Sequence, residues 1–360
     1  MKHTDYTIIG TGIVGLSIAL GLNKNKEKIT IIGPKPTLPP KFSVCAINDS
    51  TRSLWEFIDL WPTIENKITP IHHMQLKCSS VEASLHAIAH HRTQLGWILP
   101  NHITLQGLID LCQKENITWI EEKPLSITEF DKVEIKTPSH HLKSKWVVAA
   151  DGRKSWVRSY LNKRPSIKSW DQKTTSMIIS HTNPHSYIAR QYFLPSGPVA
   201  TLPLKKNNQS CLVWSYINEL DKNNLSNLEK LFPELGTIKV IEKGHSITLC
   251  SHIMDSFVHG KIIFAGDAAH TVHPIAGLGM NLGIIDALLL CKNTQMNILD
   301  RLKEYNHQAL KYQSFMAQSI HSMVHLSRSN LMPFALQTCK LSPMIQRAMI
   351  LQANGREWIS

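Results

Sequence analysis

The chain has 360 residues, 42 % of them hydrophobic, and a formal net charge of +12. Its length allows about two domains with a sizeable core, which excludes a disordered or fibrous protein. Lysine and arginine are scattered and form no basic helix, which argues against nucleic-acid binding and leaves a diffuse positive surface suited to anionic lipid or acidic partners. Seven cysteines show no metal-type spacing, so we expect reduced thiols, no metal site and a cytoplasmic protein.

The N-terminal segment has the pattern of a nucleotide-binding βαβ unit. It runs from a strand, "DYTIIG", through the turn "GTGIVG" and the helix "VGLSIALGLNK" to a second strand, "KITIIG". In such a turn Gly10 permits the tight bend, Gly12 lets a pyrophosphate approach the backbone, and Gly15 lets the helix pack on the sheet. No segment has about eighteen uninterrupted apolar residues, so we expect no membrane-spanning helix.

The second strand ends on Gly33, where the dinucleotide fingerprint expects a carboxylate that binds the adenosine ribose. A missing hydrogen bond to a charged acceptor costs about 1.5 to 3 kcal/mol, or roughly ten- to a hundredfold in affinity. Nucleotide binding is weakened by this loss but not excluded, because the other contacts remain. Gly33 with Lys35 nearby leaves open an NADP-type site for a 2′-phosphate.

Further along, residues 50–61 are predicted to form a helix capped by Asp49 or Ser50 and closed by Pro62. Residues 101–115 are helical, and the strand "SKWVVAADG" ends on Asp151 and Gly152. Residues 174–216 alternate like an antiparallel sheet. From 261 the chain returns to a strand followed by a helix from Gly277, and amphipathic helices fill about 299 to 353. This order predicts an α/β nucleotide domain assembled from separated segments, with a mainly antiparallel domain inserted.

Three segments, in this order, resemble the fingerprints of class A flavoprotein monooxygenases with the p-hydroxybenzoate hydroxylase-like fold: "GTGIVG", "KWVVAADGRKSWVR" (145–158) and "GKIIFAGDAAHTVHPIAGLGMNLG" (260–283). More narrowly, residues 184–215 and "HTVHPIAGLGMNLGIIDA" look like the ubiquinone-biosynthesis FAD-dependent hydroxylase family, and the resemblance spans nearly the whole chain. It implies a Rossmann-like FAD-binding domain of the glutathione-reductase type 2 over 1–70, 95–165 and 255–325. A mainly antiparallel substrate domain would cover 71–94 and 166–254, and C-terminal helices 326–360.

The resemblance also implies a set of cofactor-binding residues, which are Gly10, Gly12, Gly15, Asp151, Gly152, Gly266, Asp267, Pro274, Gly277, Gly279, Met280 and Asn281. Asp267 would bind the ribityl chain of FAD, with a plain helix cap as the other interpretation. The Asp151 turn would contact the cofactor region, or it closes a strand and does no more. Pro274 would approach the flavin, and residues 277–281 would offer main-chain N–H groups where reduced flavin carries negative charge.

Catalytic and substrate residues are implied less directly. His273 and Pro274 are the catalytic candidates. His273 could act as the base, since this chemistry needs a base only to draw a proton off a phenol, and Pro274 would approach the flavin. Packing is the alternative for His273. The same resemblance implies that the antiparallel sheet forms one wall of a substrate cavity. Its candidate substrate residues are Tyr192, Phe193, Leu202 and Trp214, which could equally be core residues.

The function that the resemblance implies is hydroxylation of a polyprenyl phenol or benzoquinol ring in ubiquinone biosynthesis, with FAD as cofactor, NAD(P)H as reductant and molecular oxygen as co-substrate. It also implies a multiprotein complex and peripheral contact with the inner face of a membrane. Several residues depart from the family pattern: Gly33, Ser43, where the family has Arg, Leu278, where it has Gln, and Pro100, where it has Glu. The Arg usual in the helix after the last fingerprint is also not evident around "YNHQALKYQ". These departures keep a flavin-poor scaffold subunit open as an alternative, beside an NADP-dependent reductase on the same fold.

Overall fold

The structure is a computed structural model that describes residues 2–217, 227–292 and 296–354. The helices in these ranges are α1 (Ile13–Lys24), α2 (Asp49–Phe57), α3 (Trp61–Ile64), α4 (Asn101–Lys114), α5 (Trp156–Tyr160), α6 (Leu228–Leu231), α7 (Gly279–Cys291), α8 (Ile298–Ser327), α9 (Met332–Leu341) and α10 (Pro343–Asn354). The strands form three sheets, so the predicted α/β class is confirmed.

The first sheet carries the nucleotide-type topology. Its strands are β1 (Lys2–Ile9), β2 (Ile29–Ile32), β8 (Thr118–Ile120), β9 (Ser126–Glu129), β10 (Val133–Lys136), β11 (His141–Ala149), β18 (Val258–His259) and β19 (Ile262–Phe264). The strands β8, β2, β1, β11 and β19 are parallel in this order, and β18, β10 and β9 add antiparallel pairs. The central strands are buried on both faces, as the apolar runs "TIIG" and "IIFA" require.

The second sheet is mainly antiparallel. Its strands are β5 (His73–Cys78), β6 (Val81–His86), β12 (Ile167–His181), β13 (Ile188–Leu194), β14 (Gly197–Pro203), β15 (Gln209–Tyr216), β16 (Ile238–Lys243), β17 (Ile247–Ile253) and β20 (His270–Thr271). They lie in the order β20-β17-β12-β15-β14-β13-β5-β6, with β16 beside β12. A third sheet joins β3 (Val44–Ile47), β7 (Gly96–Pro100) and β4 (Thr69–Ile71).

The long helix α8 packs against both large sheets. Near its start, Tyr305 belongs to the core of the first sheet and donates a hydrogen bond from its hydroxyl to the carbonyl oxygen of Phe264, 2.8 Å away. Near its end, Ile320 and Val324 join the core beneath the second sheet. The predicted domain boundary at 325/326 falls inside this helix, and the division into domains stays a prediction. Residues 355–360 of the predicted C-terminal segment lie outside the described residues.

Three helix boundaries differ from the sequence prediction. The helix predicted from Gly277 begins at Gly279, because Gly277 ends the 3₁₀ turn Pro274–Ala276. The other two boundaries belong to α2. The cap of α2 is Asn48, whose side chain accepts a hydrogen bond from the N–H of Thr51, so Asp49 and Ser50 are already helical. The helix ends near Asp59, which adopts a left-handed φ of +60°. Pro62 does not close it but lies in the first turn of α3, where a missing N–H costs nothing.

Candidate flavin nucleotide site

The three sequence fingerprints meet at one edge of the first sheet. The parallel strands β1, β11 and β19 end there, and the backbone N–H of Ala150 bonds the carbonyl of Ile9 while that of Ala265 bonds the carbonyl of Ala149. A cavity of about 520 Å³ lies outside these strand ends, the usual ligand site of open α/β sheets. Six of the predicted cofactor residues line it: Gly12, Gly152, Asp267, Pro274, Gly279 and Met280.

The glycines at this edge fall into two physical groups. A Cβ on Gly10 would lie 2.2 Å from the carbonyl oxygen of Ala150, and one on Gly15 would lie 2.5 Å from that of Gly10, so both are required by close backbone packing. A Cβ on Gly12, Gly152 or Gly279 would meet no atom within 4 Å. These three backbones therefore border open space that a ligand can occupy at close range, which is the fit that an extended flavin nucleotide needs.

Two helix N-termini face the same cavity. The helix α1 begins after Gly12 and α7 begins after Leu278, and neither has a side-chain cap. Their first N–H groups lack intrahelical partners and stand at the positive end of the helix dipole. Ile13 of α1 and Met280 of α7 both line the cavity, so the site has one anion-binding end at each helix.

Asp267 supplies a carboxylate to this cavity. It lies in the 3₁₀ turn Gly266–Ala268, directly after β19, with its side chain exposed to the cleft. The surrounding cleft walls desolvate the carboxyl group and raise its pKa, while His270 and Arg153 act in the opposite direction. The residue is thus positioned to accept hydrogen bonds from ligand hydroxyl groups.

A buried carboxylate that sequence reasoning missed holds this turn in place. Asp286 of α7 is fully buried and accepts hydrogen bonds from the N–H of Gly266 at 2.8 Å and from Nε2 of His270 at 2.7 Å. Its second oxygen accepts a bond from Nε2 of Gln313 on α8, at 2.8 Å. The signal was available in the sequence, because a single aspartate interrupts the apolar run "IIDALLL".

Arg158 ties the second fingerprint to the third. Its guanidinium donates to the carbonyl oxygen of Ala268 at 2.7 Å and to Nε2 of His252 at 3.1 Å. Because Nε2 of His252 accepts, the ring proton is on Nδ1, which bonds the hydroxyl of Thr271 at 2.9 Å. Burial, and then Arg158, lower the pKa of His252 to about 4.

Asp151 has a structural contact and one unused atom. Its Oδ2 accepts a hydrogen bond from the N–H of Val157 at the start of α5, at 3.1 Å. Its Oδ1 is buried without a hydrogen-bond partner within the described part of the chain. The bond from Val157 to Oδ2 fits a turn that closes a strand. The predicted cofactor role of Asp151 therefore depends on Oδ1.

His273 makes only structural contacts. Its Nδ1 accepts a hydrogen bond from the N–H of Ile275 at 3.1 Å, so its Nε2 carries the proton and donates to Oε1 of Gln172 at 2.9 Å. Burial, with a smaller effect of Arg328, lowers the pKa of this ring to about 4. The packing interpretation accounts for every contact of His273, and its catalytic role gains no support from them.

The side chain of Asn281 is also turned away from the cleft. It donates to the carbonyl oxygen of Ala46 at 2.8 Å and accepts from the N–H of Asn48 and the hydroxyl of Thr51. The predicted cofactor contact of Asn281 is therefore left to its backbone. Gly277, with φ +63°, is exposed beside the turn and does not line the cavity.

The substrate candidates lie on opposite faces of the second sheet. Tyr192 and Trp214 point to the outer face, where the ring of Tyr192 stacks on Phe232 at 4.8 Å. The structure therefore does not bring these two to the cleft, because neighbouring residues of a strand alternate between faces. Phe193 and Leu202 point to the inner face and stay predictions.

The inner face carries a row of small and polar side chains that sequence reasoning missed. Ser176, Val213, Ala200 and Gln191 are register partners across β12, β15, β14 and β13, and all four are partly exposed. Leu202 on the same face packs near Ala46, whose Cβ lies 3.8 Å from the Cβ position of Gly277. This face therefore opens toward the turn that follows His273.

Two departures from the family pattern have visible structural settings. Gly33 has a φ of +147°, and a Cβ there would lie 2.9 Å from Cγ2 of Thr11, so a carboxylate side chain would be strained at this position. The hydroxyl of Ser43 accepts a hydrogen bond from Nδ2 of Asn101, 2.9 Å away, and Asn101 lines the cavity. The first departure leaves the ribose end of the site without its usual acceptor at the end of β2.

Glycine-lined strand ends, two uncapped helix N-termini and a carboxylate at a single cleft define a flavin nucleotide-binding protein. Residues 3–316 match the family described as FAD binding domain, and the chain belongs to this family. It is 26 % identical over 310 residues to the ubiquinone hydroxylase UbiL of Rhodospirillum rubrum, covering 81 % of this chain and 72 % of that one. It is 27 % identical to the 3-demethoxyubiquinol 3-hydroxylase of Escherichia coli over 314 residues, covering 80 % of this chain and 79 % of the relative.

Solved structures show the same fold. The p-nitrophenol 4-monooxygenase PnpA of Pseudomonas putida superposes with a TM-score of 0.82 at 19 % identity, covering 99 % of this chain and all of that one. HpxO of Klebsiella pneumoniae, solved with FAD and uric acid, gives 0.78 at 15 % identity, covering 97 % and 96 % of the two chains. The predicted FAD-binding monooxygenase fold is thereby confirmed.

Other sequence expectations concern thiols, metals and membranes. All seven cysteines are free thiols. Among the described residues, no cluster of His, Cys, Asp and Glu could hold a metal ion. In the same ranges no helix is both long enough and apolar enough to cross a bilayer.

Proposed function

We propose that the protein is an FAD-dependent, NAD(P)H-using hydroxylase of an aromatic ring, acting on a polyprenyl phenol or benzoquinol in ubiquinone biosynthesis. The observation that carries this proposal is one cleft where open glycine backbones and two helix N-termini converge beside a partly exposed sheet face. The names of the two relatives supply the substrate class. Membership of a ubiquinone-biosynthesis protein complex is part of the same proposal.

The protein groups around FAD have distinct tasks. Bound FAD supplies the redox and oxygen chemistry, which no amino-acid side chain can provide. The N-terminus of α1 at Gly12 would bind the pyrophosphate, and Asp267 would accept hydrogen bonds from the ribityl hydroxyls. The N-terminus of α7 at Gly279 would stabilise negative charge at the pyrimidine end of the flavin ring.

The inner face of the second sheet is proposed to hold the substrate ring. The side chains of Val213, Ala200 and Leu202 give it an apolar surface, and Ser176 and Gln191 at the ends of the row can hydrogen-bond ring oxygens. The two polar side chains can fix the orientation of an aromatic ring, and the small apolar side chains between them leave room for a prenyl tail.

The C-terminal helices are proposed to dock on an anionic membrane surface. The apolar side chains of Leu331, Phe334, Leu341 and Met344 are 64 to 83 % exposed, and we call this set the C-terminal apolar surface. Residues 305–356 contain five Lys or Arg and no Asp or Glu. Exposed apolar groups on helices without acidic residues suit a bilayer with anionic headgroups, where the substrate tail resides.

Vesicle co-sedimentation tests this docking surface. The double variant Phe334→Ser, Leu341→Ser should lose binding to vesicles with anionic lipid, whereas Phe130→Ser, at another residue that is 70 % exposed, should not. Equal binding of the wild type to neutral and anionic vesicles, or retained binding by the double variant, would contradict the proposal.

Flavin content and product formation test the enzymatic function. The purified protein should be yellow, release FAD on denaturation, and incorporate one atom of ¹⁸O₂ into a prenylated phenol when NADH or NADPH is supplied. Asp267→Ala should lower the flavin content, with Asp255→Asn as an exposed control. A colourless protein that takes up no added FAD would instead favour the scaffold alternative, for which Gly33 is the specific observation. NADPH oxidation without ¹⁸O incorporation would favour the reductase.

A further inference from the structure

A second cavity lies on the far side of β20 from the flavin cleft. It has a volume of about 580 Å³ and is enclosed by β12, β17, β20 and the second half of α8. Thr271 and Val272 line both cavities, so a single strand separates them. The volume is that of a nucleotide-sized ligand and far exceeds what a single small ion fills.

Lys168 is the only Lys or Arg among the described residues that line this cavity, beside three histidines whose pKa values burial lowers, and His325 and Arg328 lie next to Lys168 and His321 without lining it. The ammonium group of Lys168 lies within 3.1 Å of both ring nitrogens of His321 and 4.5 Å from the ring centre of Trp170. Nε2 of His321 lies 2.8 Å from Nε2 of His325, one turn further along α8. Arg328 follows and donates to the carbonyl oxygen of Trp170 at 3.2 Å.

Among the described residues that line the cavity there is no carboxylate. Hydroxyl and amide groups of Ser251, Ser322 and Gln318 line it instead. Burial and the neighbouring Lys168 and His325 lower the pKa of His321, as expected for like charges held together. A bound anion would remove this repulsion and accept hydrogen bonds from both Lys168 and His321.

We propose that this cavity binds the phosphate group of a nucleotide-sized ligand through Lys168 and His321. Within the proposed function, the ligand of this chemistry is the pyridine dinucleotide reductant, and that identification rests on the proposed function, whereas the anion site does not. The chain has one glycine-rich dinucleotide turn, and the flavin cleft uses it, so the reductant requires another site. Thr271 and Val272 line both cavities, so a dinucleotide whose phosphate is held at Lys168 and His321 would lie beside the flavin cleft, and its nicotinamide would have to pass this segment to contact the flavin.

The test is equilibrium binding by calorimetry to the FAD-loaded protein, with NADP⁺, NAD⁺ and inorganic phosphate as separate probes, because the oxidised dinucleotides carry the same phosphate groups but cannot reduce the bound flavin. Loss of a charge-assisted hydrogen bond should weaken binding of the favoured probe about tenfold or more in Lys168→Ala and in His321→Gln. Lys173→Ala removes an exposed lysine from the same strand and should change binding less than about twofold. Thermal melts and flavin absorbance identify any variant that fails to fold, and the second substitution then serves as the test.

The pattern across probes identifies the source of the phosphate. Tighter binding of NADP⁺ or NAD⁺ than of inorganic phosphate supports the dinucleotide, and equal binding supports a free anion at the same site. Absence of binding by all three probes, or wild-type affinity in both Lys168→Ala and His321→Gln, overturns the proposal. Failure of the proposed function would be visible separately, as FAD-loaded wild type that binds a probe but forms no hydroxylated product.

Discussion

Replacing Asp286 should damage both the stability of the protein and its affinity for FAD. This carboxylate is fully buried and accepts three hydrogen bonds, from Gly266, His270 and Gln313. In Asp286→Leu, all three donors lose their acceptor, and breaking a buried, hydrogen-bonded carboxylate pair costs about 3 to 5 kcal/mol. Since total stabilities are about 5 to 15 kcal/mol, this loss is a large share of the whole.

Asp286→Asn should have a smaller effect, because the amide oxygen can still accept from Gly266 and His270. The amide nitrogen then faces Nε2 of Gln313, and both are donors. Rotation of the Gln313 amide would relieve this conflict but give up its bond to the carbonyl oxygen of Leu282, now 3.0 Å long. The expected cost is therefore that of about one buried hydrogen bond, on the order of 1 to 3 kcal/mol.

Urea unfolding of the apo-protein measures the stability of both variants, and FAD titration followed by flavin fluorescence measures affinity. Asp255→Asn is the control, because its side chain is 93 % exposed and should change stability by less than about 0.5 kcal/mol. The affinity should fall with stability because Asp286 fixes Gly266, which precedes Asp267. If Asp286→Asn matches Asp255→Asn in both measurements, the network does not position the turn.

Three further outcomes follow from the geometry. Gly12→Val should abolish FAD binding and leave the melting temperature of the apo-protein unchanged, because the new side chain enters open space. Gly10→Ala should lower the melting temperature, because its Cβ collides with a carbonyl oxygen. Stability should fall as the pH is lowered from 6.5 to 4, by up to about 1.4 kcal/mol per pH unit for each of His252 and His273. The cause is that the unfolded chain binds protons in this range, whereas the folded rings, with pKa near 4, stay neutral. Urea unfolding at pH 7 and pH 5 measures this dependence, and His273→Gln should make it shallower. Ala200→Phe should raise the KM for the phenol with FAD content unchanged, and an unchanged KM would remove this face from the substrate site.

The glycine-lined part of the site could be predicted because its constraint is local. Gly10, Gly12 and Gly15 lie within six residues between a strand and a helix, and their spacing follows from the turn itself. Gly266 and Asp267 likewise follow the last strand directly. Parallel strands end at the same edge of a sheet, so their meeting at one cleft needed no knowledge of side-chain packing.

Contacts between distant segments and the choice of strand face could not be read in this way. Asp286 lies twenty residues after Gly266, and nothing local indicates which backbone N–H its carboxylate binds. Alternation shows that Tyr192 and Phe193 point in opposite directions. It does not show which direction is the cavity, because each face of the second sheet contributes apolar residues to a buried cluster. The partly exposed row that contains Ala200 could not be predicted from the sequence for a related reason, since small side chains occur in cores and in binding surfaces alike.

The geometry at Gly33 also indicates where the affinity for FAD must reside. A carboxylate at this position would normally contribute about 1.5 to 3 kcal/mol through the ribose, but the φ of +147° and the contact with Thr11 make simple restoration by Gly33→Glu unfavourable. The groups that we propose to bind FAD at the rest of the site include the N–H ends of α1 and α7 and the carboxylate of Asp267. Affinity for FAD therefore depends on the pyrophosphate and the flavin ring more than on the adenosine. Damage at Gly12 or Gly279 should consequently leave this protein with weaker residual FAD binding than a relative that retains the ribose contact.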